Sequence, residues 1–539
     1  MKRARQYNSR SLCSAPSPTS HRSALLVAAA LLPANLGFTA LTAQRRPNIV
    51  FIYADDHAQH AISAYDARLH RTPHIDRLAR DGMRFTQSFV GTSICGPARA
   101  TILTGLHAHA HGQVGNANGR FRDDAPTWAT SLRSHGYKTA MIGKWHLPTK
   151  PRGFDYKTIE VGSYYNVKFR GDDGVDASTG HVSDAITERA LAWMQKATED
   201  KEPFAIWVCH SAAHRTWMPA LRHLRLFDEV DVPEPPTLFD DYATRSDAAR
   251  SAQMRIAKDL FPAYELQLQI TGKGVLDKAA QRLRASLSAA EFRAWEAFFG
   301  PRNAAFAALT DEREQTQWKY QRYIKNYLRC VAGLDESVGS IRAFLQERGL
   351  AENTIVIYSS DQGFFLGDHG YYDKRFAYEE ALRTPLIVSW PGVTPAASTC
   401  DELVQNIDMA PTLIAMATGD DTTLETKTMH GQSLVPLLCG PQTGSSAAAP
   451  ARPAWRDAIY YDYAAEESQS RTSHLVAKHK AVRTKTHKLL HFYELGAFEL
   501  FDLEKDPREL VNVYEDPSYA TIRQDLVAKL AQLSKRYGE

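Results

Sequence analysis

Five runs of Val, Ile and aromatic residues stand out along the chain: NIVFIYA (48–54), KTAMIG (138–143), FAIWVCH (204–210), NTIVIYSS (353–360) and PLIVSW (385–390). Apolar runs this short, without polar alternation, predict strands covered on both faces, as in a parallel sheet. Between them the apolar period lengthens to that of a helix. In TPHIDRLARDG, Thr72 and Pro73 open a helix, Ile75, Leu78 and Ala79 share its inner face, and Gly82 stops it. A longer helical pattern runs through RYIKNYLRCVAGLDESVGSIRAFLQERG. Strands alternating with helices predict an α/β fold, a large mixed and mostly parallel sheet sandwiched by helices.

The pattern changes twice. From about 218 to 317 it is mainly helical, with Ser288 and Glu291 forming a capping box in SLSAAEFRAWEAFFGP and Gly300-Pro301 expected to end that helix. We read this stretch as an insertion over one sheet edge, inside a main domain spanning 44–440. The small, Pro-rich residues of 441–454 read as a linker. Beyond it DAIYYDYA, KAVRTKTHKLLHFY and AFELFDLEKDP predict antiparallel strands, followed by a helix. They form a smaller α+β unit over 455–539.

The formal net charge is +3, but Lys2, Arg3, Arg5, Arg10 and Arg22 face no acid before residue 44, and without those five it is −2. This gives no electrostatic case for nucleic acid. The same basic segment leads into ALLVAAALL and the small residues of FTALTAQ, the layout of a secretory signal cleaved after Ala43. A secreted or periplasmic protein is expected, with no membrane span after the signal is removed. The 6 cysteines are few for a secreted chain of 539 residues. Cys209 and Cys330 read as buried thiols, and the sequence leaves open whether Cys400 and Cys439 pair.

Unusual side chains collect where strands end, which is where open parallel sheets bind ligands. Asp55 and Asp56 follow the first strand, Lys144 and His146 the second, His210 and His214 the third, and Asp361 and Gln362 the fourth. Three carboxylates and an amide are hard oxygen donors, suited to Ca²⁺ or Mg²⁺ rather than zinc. Lys144, Lys374 and Arg99 with such a cation would suit a small, multiply charged oxyanion ester, and His146 and His214 can move protons. In GTSICGPARATILTG, Pro97 and Gly105 bracket a helix that places Cys95 at its positive N-terminus, with Arg99 one turn on. The HAHAH run at 107–111 invites a zinc reading, but without nearby cysteine we expect structural hydrogen bonds there.

CGPAR followed by ATILTG resembles the signature of the sulfatases, Cys-x-Pro-x-Arg followed by Thr-Gly. The likeness continues through ADDH, GYKTAMIGKWHL, SDQGFFLGDHG, DKR and ELFDLEKDPRELVN, and implies an alkaline-phosphatase-like fold. It also implies that Cys95 is oxidised to formylglycine by a formylglycine-generating enzyme. Asp55, Asp56, Asp361 and Gln362 then resemble the metal ligands, joined by residue 95; Gln362 stands where many relatives have Asn or His. Arg99 and Lys144 would stabilise the aldehyde hydrate, and Lys144 and Lys374 hold the sulfate. The hydrate attacks sulfur while His214 protonates the departing sugar oxygen, and His146 then helps expel sulfate. SAAHRTWMPALRHLRLFD and WKYQRYIKNYLRCVAGLDE are similar to bacterial N-acetylglucosamine-6-sulfatase-type enzymes, which implies a sulfated carbohydrate substrate. Arg215, Trp217 and His369 are candidate sugar contacts, with lid packing the alternative for Trp217. Two alternatives remain: a phosphonate monoester or phosphodiester hydrolase of the same superfamily, and a catalytically silent glycan-binding relative.

Overall fold

The computed structural model describes residues 46–539, apart from 117–118, 163, 421–422, 424–425, 440–454 and 466–473. The expected leader and linker lie outside the described residues. Strand β1 (Asn48–Ala54) is followed by helix α1 (Pro73–Asp81) and strand β2 (Met83–Phe85). Helix α2 (Cys95–Thr104) and the single turn α3 (Ala108–His111) precede β3 (Lys138–Gly143), β4 (Tyr156–Val161), β5 (Lys168–Gly171) and β6 (Gly174–Ala177). Then come α4 (Val182–Glu199), β7 (Phe204–Cys209), α5 (Ala289–Ala307), α6 (Glu312–Glu347), β8 (Thr354–Ser360), β9 (Leu386–Ser389), β10 (Ser398–Cys400) and α7 (Met409–Thr418).

The strands make one 10-stranded sheet in the order β10-β2-β9-β8-β1-β7-β3-β4-β5-β6. Its centre is parallel, with β1 between β7 and β8 and β3 between β7 and β4. The period-2 geometry of β1 explains why that strand is apolar throughout. Val50, Ile52 and Ala54 face the layer of α4 and α6, whereas Ile49, Phe51 and Tyr53 face the layer of α2 and α7. Among the described residues no helix is long and apolar enough to cross a membrane.

Two expectations are corrected. PLIVSW does not lie parallel: β9 runs antiparallel to both β8 and β2. A run buried on both faces does not encode its direction, and the loop from 361 to 385 returns to the sheet without the long crossover helix a parallel pair needs. Gly300-Pro301 does not end α5, which continues to Ala307 with Pro301 inside it. Trp295, Phe298 and Phe299 are buried on that helix, and their packing sustains it past a proline.

The C-terminal part is an antiparallel meander of β11 (Ala458–Tyr463), β12 (His479–Thr484), β13 (His487–Phe492) and β14 (Ala497–Asp502), followed by α8 (Ala520–Arg536). One face, with Tyr460, Val482, Leu489 and Leu500, packs under α8; the other, with Tyr461, Ala481, Leu490 and Phe501, joins the main core. Between the meander and the large sheet lies a buried ion cluster in which Lys488 Nζ reaches Glu379 at 3.1 Å and Glu509 at 2.6 Å. Arg483 joins Glu379 at 3.1 Å. Removing one partner of such a cluster strands buried charge. Lys488→Met should therefore cost about 3–5 kcal/mol, read as a lower urea midpoint at unchanged m; a midpoint equal to wild type would mean the cluster does not hold the two parts together.

Candidate active site

Helix α2 starts where its sequence needs it to. Pro97 has no N–H to lose in a first turn, and Gly105 takes the left-handed conformation at φ 68° that closes the helix. Cys95 is thereby fixed at the N-terminus, fully buried. Gly96 N donates to Asn116 Oδ1 at 2.9 Å, and an added Cβ on Gly96 would meet that same oxygen at 2.9 Å, so the approach is close.

The ends of β1, β3, β7 and β8 bring the predicted polar side chains to this point. Lys374 Nζ lies 3.2 Å from Cys95 Sγ and pairs with Asp56. Gln362 Nε2 lies 3.6 Å from the same sulfur. Asp56 N donates to Asp361 Oδ1 at 3.0 Å, and Asp55, Asp56 and Asp361 form one tight carboxylate group. Arg99 is wholly buried, with Nη2 3.4 Å from Asp361 and 3.7 Å from Asp55, and Nη1 donating to the Lys144 carbonyl at 2.8 Å. Lys144 Nζ pairs with Asp55. His214 lies at the opening, its Nε2 3.8 Å from Asp56. Its Nδ1 bonds to the Arg215 carbonyl at 2.5 Å, so Nδ1 carries the proton and Nε2 is the nitrogen free to exchange one. His146 is exposed at the rim, at φ 58°. His210 is buried instead, 2.9 Å from Ser337 Oγ.

The electrostatics follow from this crowding. Burial, and then the Asp55 carboxylate, push Asp361 well above the usual carboxylate range. Burial opposes the charge on Asp55 too, but the Lys144 ammonium outweighs it and holds Asp55 well below that range. Burial, and then Asp55, push the Cys95 thiol well up. An unmodified Cys95 is thus a protonated thiol and a poor nucleophile. Asp55 Oδ1, Asp56 Oδ2 and Gln362 Oε1 are buried without a hydrogen-bond partner. Oxygen donors left unsatisfied beside clustered carboxylates fit a hard divalent cation.

A second layer, which the sequence reading missed, borders Lys374. His474 Nδ1 bonds to Asp373 Oδ2, which also pairs with Arg375. Arg215 Nη1 reaches His474 Nε2 at 2.6 Å and Glu265 at 3.0 Å. Asp373 and Arg375 flank Lys374 in DKR, a signal that was available; His474 and Glu265 sit in stretches without any motif. Trp217 is buried against Tyr323, ring centroids 4.7 Å apart. His369 is buried too; burial opposes its charge, but Asp240 at 3.0 Å and Glu380 outweigh it and raise its pKa to about 9.

Comparison with known proteins gives this arrangement a family. The sulfatase family profile matches residues 47–419, and the profile of the N-sulphoglucosamine sulphohydrolase C-terminal region matches 367–536. The chain belongs to the sulfatase family, the sulfuric ester hydrolases. It is 37% identical over 523 residues to the N-acetylglucosamine-6-O-sulfatase of Bacteroides thetaiotaomicron, covering 95% of this chain and 90% of that protein. Among solved structures it resembles BT4656 in complex with its substrate D-glucosamine-2-N,6-O-disulfate, with a TM-score of 0.84 and 36% identity over 92% of this chain and 98% of that one. The phosphonate monoester hydrolase of Agrobacterium radiobacter, 21% identical with a TM-score of 0.60 over 91% of this chain and 96% of that one, shares the fold.

Proposed function

We propose that this sulfatase removes a sulfate ester from the 6-position of N-acetylglucosamine or a related glucosamine-containing glycan. In this reading the nucleophile is formylglycine made from Cys95 by a formylglycine-generating enzyme, and the cation is Ca²⁺, with Mg²⁺ its alternative. The observation that carries the reading is the ring of Asp55, Asp56, Asp361, Gln362, Lys374 and Arg99 closed around residue 95. Formylglycine as its hydrate offers one hydroxyl to attack sulfur and a second to expel sulfate. Asp55, Asp56, Asp361 and Gln362 would hold the cation, which would supply positive charge against the charge that develops on the sulfuryl oxygens.

The other side chains divide the remaining work. Lys144 and Lys374 hold the sulfate from two sides, and Arg99, anchored by Asp361 and the Lys144 carbonyl, steadies residue 95. His214 Nε2 gives its proton to the departing sugar oxygen. Burial and then Lys144 keep this imidazole neutral in the free site, and the negative charge of a bound sulfate ester favours the protonated form it needs. His146, at the rim, takes a proton when sulfate leaves. Arg215, partly exposed and held by His474 and Glu265, is the candidate contact for sugar hydroxyls. Residues 44–440 would carry the catalytic chemistry and 455–539 would back it, in a secreted or periplasmic protein.

The division of labour is testable. A sugar alkoxide needs the proton from His214, whereas nitrophenolate hardly does. His214→Ala should lose about 10²–10⁴-fold on a sulfated sugar and far less on nitrophenyl sulfate, while His146→Ala slows both. Equal losses on the two substrates in folded His214→Ala protein would remove His214 as the acid. Substrate choice is tested by sulfate release from defined sulfated mono- and disaccharides. N-acetylglucosamine 6-sulfate should lead, and a preference for a 2-O-sulfated uronic acid would overturn the proposal.

A further inference from the structure

The histidine run at 107–111 has a second role in the folded chain. His111 Nε2 lies 3.0 Å from Thr101 Oγ1, the expected structural bond. His109 differs. Its Nε2 donates to the Tyr537 carbonyl at 2.8 Å, which leaves Nδ1 as the lone-pair nitrogen. That Nδ1 is buried without a hydrogen-bond partner and lies 3.7 Å from Glu539 Oε2. Asp462, on β11, is 3% exposed, and its Oδ1 is likewise buried without a partner. Ligand atoms of His109, Asp462 and Glu539 all lie within 4.8 Å of one another.

From this geometry we infer a second metal site, separate from the catalytic one, in which His109 Nδ1, Asp462 and Glu539 hold a zinc-like divalent transition metal. One imidazole and two carboxylates form a mixed N/O donor set that such ions accept, unlike the oxygen cluster of Asp55, Asp56, Asp361 and Gln362. The hydrogen bond from His109 Nε2 to a carbonyl is the outer contact that usually orients a ligating imidazole. Lys480 takes Glu539 Oε1 at 2.8 Å and the Tyr460 hydroxyl donates to Oε2, which retains a lone pair for the ion. The three ligands come from α3, from β11 and from the segment after α8, so the ion would clasp the C-terminal meander and its helix to the main domain.

The test uses the full chain with Ca²⁺ in excess, so that the carboxylate cluster beside residue 95 is occupied. Chelator-treated protein is titrated with Co²⁺, read by visible absorption, and with Zn²⁺, read by elemental analysis after excess ion is removed. Wild type should take up one equivalent of Zn²⁺ and show the strong visible bands of four-coordinate Co²⁺. Asp462→Asn, His109→Gln and Glu539→Gln should each bind about 10–100-fold more weakly. Glu539 is exposed, so its variant remains informative if the buried Asp462→Asn fails to fold. Zn²⁺ uptake equal in wild type and all three variants, or none in wild type, would overturn the site. The measurement reads bound metal and not turnover, so it stands apart from the sulfatase reading.

Discussion

Asp361→Ala should abolish turnover, and exhaustive chelation of the wild type should do the same, reversibly, with Ca²⁺ or Mg²⁺ restoring it. Asp361 stands at the centre of the site: it accepts from Asp56 N at 3.0 Å and faces the Arg99 guanidinium at 3.4 Å. Its removal would take one oxygen donor from the proposed cation and leave Arg99 with Asp55 at 3.7 Å. A buried charge that loses a partner destabilises the fold, so the variant's far-UV spectrum and melting temperature must accompany its rate. Chelation leaves the sequence unchanged and separates the cation's contribution from the fold's. Full activity in metal-free buffer after exhaustive chelation would show that the oxygen cluster is not a working metal site.

Cys95→Ala should lower sulfate-ester hydrolysis by on the order of 10⁴-fold or more, since in the proposed mechanism residue 95 supplies the covalent nucleophile. The side chain is small, so the variant should fold. The change removes only Sγ, the atom on which Lys374 and Gln362 now converge at 3.2 and 3.6 Å. With the lysines and carboxylates intact, Cys95→Ala should still bind the sulfated sugar. A Cys95→Ala protein that keeps wild-type turnover would place the chemistry elsewhere.

The large sheet was legible because its central strands, such as NIVFIYA, are buried on both faces, and burial of that kind leaves an unbroken apolar run. Direction was not legible, which is why PLIVSW, running as an antiparallel strand, differs from expectation. The persistence of α5 through Pro301 was hidden for a related reason: packing of Trp295, Phe298 and Phe299 outweighs a local helix breaker, and packing partners are not written locally. Asp55, Lys144, Asp361 and Cys95 could be assembled from sequence because each follows a strand or opens a helix at the same edge of the sheet. His474, in contrast, reaches Asp373 across 101 residues of chain, and Asp462 and Glu539 meet His109 from still farther away. Local spacing carries no trace of such meetings. The same distance explains why the histidine run, taken from sequence alone, reads as purely structural.

The proposed chemistry turns on what stands at position 95. In protein made with a formylglycine-generating system, the peptide containing Cys95 should be found by mass spectrometry as the aldehyde or its hydrate. Because the hydrate is close in mass to cysteine, a hydrazine tag should label that peptide and an alkylating reagent should not. Sulfatase activity should rise in proportion to the tagged fraction. A fully active preparation in which Cys95 is entirely alkylatable thiol would contradict the formylglycine mechanism.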